Sequence, residues 1–305
     1  MRREMTTRLS HAKLRRGHLS RGRGNGDMAA IDDKPDLRDA ALVPAAVIDS
    51  FRLDGAVLLK GYFRDWVEPL REGIERNLAE PGPYQRVYTP KGGSGRFVGD
   101  YCNWARIPEY RRFVFESPAA RIAQQLMGSR TVRLFHEHVL IKEPGTRELT
   151  PWHHDQPYYC VDGTQNVSLW MPLDRVPRDV CVEYVAGSHR WGRWFRPSKF
   201  TGVAYDHKSD TLEDMPDIGA HRSDYRLLSW DVELGDAIAF HFLTVHGAPG
   251  NPSGNRRRAF ASRWIGDDAV YAQRSGETSP PFPGLDQRLK PGEPLAAEEF
   301  PLVIR

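Results

Sequence analysis

Two histidines and an aspartate carry the most specific chemical signal in this sequence. His153 and Asp155 lie two residues apart in the run PWHHDQPYY (151–159), and His246 follows far downstream. In an extended strand, side chains i and i+2 point to the same face, so His153 and Asp155 would share a face and His154 would point away. Two imidazoles and one carboxylate are the ligand set of the facial triad in non-heme Fe(II) oxygenases. The pattern therefore predicts iron chemistry.

The segment behind the distal histidine adds a second signal. It reads GAPGNPSGNRRRA (247–259), which is a Gly/Pro/Asn/Ser turn followed by arginines that enter a β-rich run (259–264). A metal-binding histidine and an arginine on adjoining strands suit a dicarboxylate cosubstrate. One end of such a molecule chelates the metal, and a guanidinium can bond the far carboxylate through two parallel hydrogen bonds.

Taken together, these segments resemble the phytanoyl-CoA dioxygenase family of Fe(II)/2-oxoglutarate-dependent oxygenases, in particular its bacterial small-molecule branch. The resemblance covers roughly residues 45–270. The matching segments are Phe51 with DGAVLL (54–59), KEPGT (142–146), WHHDQPYY (152–159), SLW (168–170), GSH (187–189) and the His246, Asn251, Arg257 run. The chain departs from the family's usual Asn-Gly ahead of a Pro-Gly-Ser-His segment, because it reads Asp179-Val180 and then Ala186 before GSH. These departures affect turns and no proposed ligand.

The resemblance implies a complete site. His153, Asp155 and His246 would bind Fe(II), and Arg257, eleven positions after His246, would bind the C5 carboxylate of 2-oxoglutarate. Two further residues would border the cosubstrate, namely Trp170 and His138. The implied reaction is the hydroxylation of a C–H bond in a small organic metabolite by O2, with release of succinate and CO2. Halogenating relatives lack the acidic ligand, so the presence of Asp155 argues against halogenation.

The substrate is not identified by the sequence. The residues considered for its pocket are Gln156, Tyr158, Tyr159, Trp191, Arg193 and Trp194, although the tyrosines would serve equally well as barrel packing. Desaturation, ring formation and epimerisation start from the same iron chemistry as hydroxylation. Two other classes stay open: a metal-binding cupin without oxygenase activity, such as an isomerase or a sugar-binding protein, and a non-catalytic binding relative.

Several other histidines and arginines are expected to lie outside the site. His241 is five residues before His246, and this odd spacing places the two on opposite faces of a regular strand. His189 lies in a predicted turn and is expected to be structural. Arg256 and Arg258 flank Arg257 and should face away from the cosubstrate.

Composition limits the class of protein. The 305 residues are 40% hydrophobic and 10% aromatic, which is ample for a core, and no run of eighteen apolar residues predicts a membrane helix. The three cysteines are widely spaced and odd in number, which is not typical of a disulfide framework or a zinc site. We therefore expect a cytoplasmic enzyme with a small-molecule substrate and neither nucleic-acid nor membrane partners.

The basic residues are concentrated at the N-terminus. The formal charge is +3, but residues 1–27 alone contribute +6, so the remaining chain carries −3. This Gly/Arg/Ser-rich head is predicted to be a disordered tail, and it also has the composition of a transit peptide or of an extended reading frame ahead of Met28. Residues 28–305 are predicted to form a single dioxygenase domain.

The order of the predicted elements is helices first and strands second. Helices are predicted over 43–53, 66–78, 108–115 and 117–126, and strands over 55–59, 132–142, 151–156, 165–173, 181–186, 225–231, 236–242 and 258–265. This order indicates an α+β protein whose strands form a double-stranded β-helix, a cupin-like jelly-roll barrel, with the N-terminal helices packed on it. A polar insertion at about 190–224 is predicted to be a lid.

Overall fold

Four helices precede most of the strands in the computed structural model, which describes residues 41–196 and 212–305. They are α1 (Ala45–Asp54), α2 (Val67–Ala79), α3 (Pro108–Glu116) and α4 (Ala119–Met127), and a short α5 (Leu285–Arg288) lies near the C-terminus. All four predicted helices are confirmed. The helix α3 begins with Pro108, where the missing N–H costs no helical hydrogen bond, and α4 ends at Gly128 in the left-handed conformation.

The described residues form fourteen strands. They are β1 (Ala56–Leu59), β2 (Arg86–Val87), β3 (Phe97–Tyr101), β4 (Val132–Lys142), β5 (Thr150–His153), β6 (Val161–Asp162), β7 (Asn166–Pro172), β8 (Glu183–Val185), β9 (Leu227–Leu228), β10 (Ala237–Phe240), β11 (His246–Ala248), β12 (Arg257–Ile265), β13 (Val270–Tyr271) and β14 (Leu302–Ile304).

Two antiparallel sheets position the cavity described below. The larger has the order β1-β10-β7-β12-β4-β3-β2, with β14 added to β4, and the smaller has the order β5-β11-β8-β9. A third pair joins β13 to β6. Strand β12 is central, because it pairs along nearly its whole length with β4 on one side and β7 on the other.

The two faces of the large sheet have different roles because side chains alternate along each strand. Toward the helices, Leu134 and Val139 of β4 and Phe260 of β12 join a buried apolar core with Leu70 of α2 and Ile122 of α4. The opposite face of these strands lines a cavity between the two sheets. The helices therefore stabilise the wall of the cavity from behind.

The strand predictions are confirmed in position, with one correction. The predicted strand over 151–156 ends at His153, and Asp155 has the helical backbone angles φ −78° and ψ −41° ahead of a 3-10 turn. The i, i+2 strand argument for Asp155 was therefore wrong, although the carboxylate still reaches the same place. The strand predictions did not include β2, β3, β6, β11, β13 and β14.

The basic tail at 1–27 and the centre of the insertion at 197–211 lie outside the described residues. The tail, the single domain over 28–305 and the lid stay predictions. No helix in the described part of the chain is long and apolar enough to span a bilayer.

Candidate active site

A cavity of about 290 Å³ lies between the two sheets. Strands β3, β4, β7, β10 and β12 of the large sheet line one side, and β5, β8 and β11 of the small sheet line the other. This volume is at the lower end of the range of about 300–1,000 Å³ for small-molecule sites. The enclosed space therefore suits a small ligand or one end of a larger one.

His153, Asp155 and His246 converge on this cavity. The two histidines are direct partners across the β5–β11 pair, and their rings lie 4.2 Å apart between centroids. The Oδ1 atom of Asp155 lies 3.6 Å from Nε2 of His153 and 4.0 Å from Nε2 of His246. One potential ligand atom from each residue falls within 4.8 Å of the others, and all three residues are buried. Residues from separate elements thus form one compact donor set.

Each of the two histidine rings is oriented by a carbonyl two residues earlier in the chain. Nδ1 of His153 donates to the Pro151 carbonyl at 2.8 Å, and Nδ1 of His246 donates to the Thr244 carbonyl at 2.9 Å. With the proton held on Nδ1, the lone pair of Nε2 points into the cavity. A carbonyl that fixes the tautomer in this way is the usual outer partner of a metal-binding histidine.

Backbone contacts hold Asp155 in its turn. Its N–H donates to the Phe242 carbonyl at 2.8 Å, and the Phe242 N–H in turn donates to the side chain of Asn166 at 2.8 Å. The hydroxyl of Tyr158 donates to Oδ1 of Asp155. These contacts bring the carboxylate to the histidines although β5 has already ended.

The protonation states suit metal binding. Burial lowers the pKa of His246 to about 3, with a further contribution from His153, so its imidazole is neutral at pH 7. Burial alone would raise the pKa of Asp155, but His153 and the charge of Arg263 hold that pKa well below its usual value. Neutral imidazole and ionised carboxylate are the forms in which these side chains bind metals.

A second charged group lies at the far end of the β12 wall. The guanidinium of Arg257 is buried and donates to the carbonyls of Val180 and Pro249, and no carboxylate among the described residues is paired with it. Burial lowers its pKa to about 10, so it remains a cation at pH 7. Its cross-strand partner Lys142 donates to the carbonyls of Glu148 and Pro249. Burial, and then Arg257, lowers the Lys142 pKa to about 6.

The family model for phytanoyl-CoA dioxygenase matches residues 51–259. The chain belongs to this family. The resemblance seen in the sequence is confirmed, and the protein is an enzyme of the oxidoreductase class. No curated protein matches the chain.

Several solved structures share the fold of this chain. The non-heme α-ketoglutarate-dependent carbocyclase SnoK from nogalamycin biosynthesis is 25% identical, with a TM-score of 0.69 over 86% of this chain and 97% of that one. The epimerase SnoN, solved with Fe3+, α-ketoglutarate and nogalamycin RO, is 22% identical, with a TM-score of 0.67 over 85% and 97%. EctD from S. alaskensis, with 2-oxoglutarate and 5-hydroxyectoine, is 19% identical, with a TM-score of 0.63 over 85% and 87%. The α+β double-stranded β-helix is confirmed, as is the expected dependence on iron and 2-oxoglutarate.

Trp170 and His138, which the family resemblance places beside the cosubstrate, both line this cavity. Trp170 of β7 and His138 of β4 flank Ala261 on the two sides of β12, since each is its direct cross-strand partner. Burial lowers the pKa of His138 to about 3, so the ring is neutral. Their place on the wall is compatible with the expected role.

The residues considered for the substrate pocket are only partly brought together. Tyr158 and Tyr159 line the cavity. Gln156 is buried and donates to the Gly163 carbonyl, away from the cavity. Among the described residues, Trp191 packs on Phe195 and Tyr225, Arg193 pairs with Glu213, and Trp194 stacks with Arg274, so none of the three lines the cavity.

The residues expected outside the site lie outside it. His154 accepts a hydrogen bond from the Phe195 N–H, His241 donates to the Thr164 carbonyl, and His189 donates to the Arg52 carbonyl. Arg256 pairs with Glu75 and Glu143, while Arg258 pairs with Asp174 and Glu75.

Sequence reasoning missed several cavity residues, above all Arg263 and Lys142. Arg263 is six positions after Arg257 on the same strand, and this even spacing was the signal that could have placed both on one face. Lys142 lies an even number of residues after His138 on β4, but the sequence gave no reason to connect it to Arg257.

Buried polar atoms in the cavity support a polar occupant. Four such atoms have no hydrogen-bond partner among the described residues, namely His136 Nδ1, Asp155 Oδ2, Tyr184 Oη and Arg263 Nη1. Since buried polar groups in proteins are nearly always bonded, this cluster indicates that ligands complete the site. The two imidazole nitrogens and the carboxylate oxygen fit ferrous iron, and the buried guanidinium groups of Arg257 and Arg263 fit anionic ligands.

Proposed function

We propose that this chain is an Fe(II)- and 2-oxoglutarate-dependent dioxygenase that hydroxylates a C–H bond of a small organic metabolite. The observation that carries the proposal is the convergence of His153, Asp155 and His246 in one cavity, whose wall also holds the guanidinium of Arg257, paired with no carboxylate among the described residues. The proposal is supported by SnoK, which is α-ketoglutarate-dependent, and by SnoN and EctD, which were solved with α-ketoglutarate and 2-oxoglutarate respectively.

In this proposal, His153, Asp155 and His246 would hold the iron. Arg257 binds the remote carboxylate of 2-oxoglutarate, and Trp170 and His138 border its body. Bound iron, 2-oxoglutarate and O2 supply the oxidising chemistry: one oxygen atom enters the substrate as a hydroxyl, and the other enters succinate as CO2 leaves. The protein contributes orientation and the exclusion of bulk water.

An anaerobic titration with Fe(II) and 2-oxoglutarate tests the class. The wild-type protein should develop the weak visible charge-transfer band of the iron–2-oxoglutarate complex. His246→Ala should abolish the band, while His221→Ala, which removes an exposed histidine outside the donor set, should retain it. A folded wild-type protein without the band would contradict the proposal and favour a metal-binding cupin without oxygenase activity.

The reaction type is identified from the mass of the product. SnoK is described as a carbocyclase and SnoN as an epimerase. Mass spectrometry of a substrate found by succinate release should show the gain of one oxygen atom. Loss of two hydrogen atoms would instead indicate ring formation or desaturation, and an unchanged mass would indicate epimerisation.

A further inference from the structure

Arg263 is a buried cation that the proposed binding of iron and 2-oxoglutarate does not use. Its side chain is 7% exposed and lines the cavity beside the metal ligands. Nε donates to the hydroxyl of Tyr159 and lies 3.6 Å from Oδ2 of Asp155. Nη1 is buried and has no hydrogen-bond partner among residues 41–196 and 212–305. One edge of the guanidinium is therefore held by the protein, and the other is left to a ligand.

A second unbonded group stands directly across the sheet. His136 of β4 is the cross-strand partner of Arg263, it is 2% exposed, and its Nδ1 likewise has no partner in the described chain. Burial, and then the charge of Arg263, lowers the pKa of His136 well below its usual value, so the ring is neutral and carries one N–H. The two side chains can thus offer two donors to one ligand.

With iron and 2-oxoglutarate bound, the positive charges of the site outnumber the negative ones, and Arg263 supplies the positive charge that is not balanced. Asp155 is its nearest carboxylate, but that carboxylate is shared with the metal in the proposed function. With a divalent iron, a dianionic cosubstrate, one carboxylate ligand and two arginines, the centre retains one net positive charge. A buried charge without a partner is costly, so a further anion would stabilise the loaded site.

The position of Arg263 separates it from the 2-oxoglutarate anchor. Arg257, Ala259, Ala261 and Arg263 follow one another along the cavity face of β12, with the small alanines between the two cations. Six residues of strand place their Cα atoms about 20 Å apart. Tyr101 and Tyr159 pack edge-on against His136 at the Arg263 end, so a ligand there would lie against aromatic rings.

We propose that Arg263 and His136 form a subsite that binds a carboxylate of the organic substrate, which is therefore a small organic acid with an apolar or aromatic body. This proposal rests on the proposed function, because it requires iron and 2-oxoglutarate in the same cavity. Two oxygens of one carboxylate match the two unfilled donors, and the ionic hydrogen bond from arginine is the stronger type.

Matched pairs of ligands test the subsite without a known substrate. The probes are acetate, butyrate, benzoate and 2-naphthoate, each compared with its primary amide, and they are titrated by calorimetry into anaerobic protein loaded with Fe(II) and 2-oxoglutarate. At least one acid should bind wild type roughly tenfold or more tightly than its amide. Arg263→Gln should remove this preference, Arg263→Lys should retain part of it, and Arg258→Gln, on the opposite face of β12, should leave it unchanged.

The outcomes separate the possible sources of the carboxylate. The charge-transfer band should still form in Arg263→Gln, with 2-oxoglutarate affinity lowered clearly less than in Arg257→Gln. If that affinity falls as far as it does in Arg257→Gln, the group at Arg263 is the C1 carboxylate of the cosubstrate and the proposal is overturned. The absence of any acid preference in wild type also overturns it. A wild-type protein that never forms the band contradicts the proposed function instead. Because the acid–amide comparison needs only wild type, poor folding of a variant does not decide the result.

Discussion

Arg257 is held by backbone carbonyls and not by a counter-ion. Its guanidinium contacts the carbonyls of Val180 and Pro249, which fix its direction but leave its charge uncompensated. Arg256 differs in both respects, since it is partly exposed and pairs with Glu75 and Glu143. Adjacent arginines of the same chain therefore provide a matched comparison between a buried ligand-binding charge and a surface ion pair.

The comparison predicts that substitution of Arg257, but not of Arg256, weakens the binding of 2-oxoglutarate. Arg257→Gln removes a charged hydrogen-bonding partner worth about 2 kcal/mol, so the dissociation constant of 2-oxoglutarate should rise about thirtyfold or more. Arg256→Gln should leave it unchanged. Anaerobic titration of the charge-transfer band measures both constants. Equal affinity in Arg257→Gln and wild type would remove Arg257 from the cosubstrate site.

At the scale of single residues, much of the candidate site could be predicted from the spacing of residues in a family motif. His153, Asp155, His246 and Arg257 could be selected because a family motif keeps them at fixed separations. Arg263 could not be selected in the same way, because its role depends on which buried atoms stay unbonded after folding. Asp155 shows a different limit: its position depends on the contact with the Phe242 carbonyl, which strand periodicity does not contain.

The turn between β10 and β11 is the element that places His246. It is supported from the junction of α1 and β1, where the Gly55 carbonyl accepts hydrogen bonds from the His241 N–H at 2.9 Å and the Thr244 hydroxyl at 2.7 Å. Thr244 in turn accepts the hydrogen bond from Nδ1 of His246. Two hydrogen bonds, both made by Thr244, therefore connect Gly55 at the end of α1 to the ring of His246.

Gly55 and Gly128 allow this connection to be tested. Both end a helix in the left-handed conformation, with φ of 75° and 65°. Gly128→Ala should cost about 1–2 kcal/mol of unfolding free energy from backbone strain alone, because the nearest atom to a new Cβ is 3.7 Å away. At Gly55, a Cβ would overlap His189 and approach Oγ1 of Thr244 to 2.5 Å. Gly55→Ala should therefore cost about 3 kcal/mol or more, and it should also weaken Fe(II) binding.

Urea unfolding and Fe(II) titration measure the two effects separately. Equal destabilisation by the two substitutions, with Fe(II) affinity unchanged in both, would show that the junction does not support the turn. The sequence predicted α1 and β1 at nearly the observed bounds, since their apolar spacing is local. It did not predict their contact with residues 241–244, which is formed only when the sheet assembles.

On the scale of the whole molecule, buried neutral histidines make the fold sensitive to acid. His241 is an example outside the metal site. Burial, and then the neighbouring His189, lowers its pKa to about 4, while the Thr164 carbonyl and Asp268 oppose the shift. In the unfolded chain its pKa returns to about 6.5. The unfolded state therefore binds more protons than the folded state between these two values, and stability falls as the pH falls through this window.

The contribution of His241 can be measured by substitution. Between pH 7 and pH 5, protonation of His241 in the unfolded chain should lower the unfolding free energy by about 2 kcal/mol. His241→Gln should reduce the loss over this interval by about that amount. Urea unfolding at both pH values, with a chelator present to remove metal, gives the difference. An identical loss in the variant and in wild type would place the acid sensitivity in other groups.

The orientation of the His153 and His246 rings has a consequence for how such enzymes diversify. Each ring and the carbonyl that orients it belong to the same three-residue segment, 151–153 or 244–246. The hydrogen bond that orients each ring is therefore formed within its own segment. It does not involve residues of the cavity wall such as Ala259 or Ala261. Mutations in the cavity wall can therefore change which substrate binds, while the orientation of His153 and His246 stays the same. This local independence makes the scaffold evolvable, and it explains how one architecture accommodates enzymes as different as a carbocyclase and an epimerase.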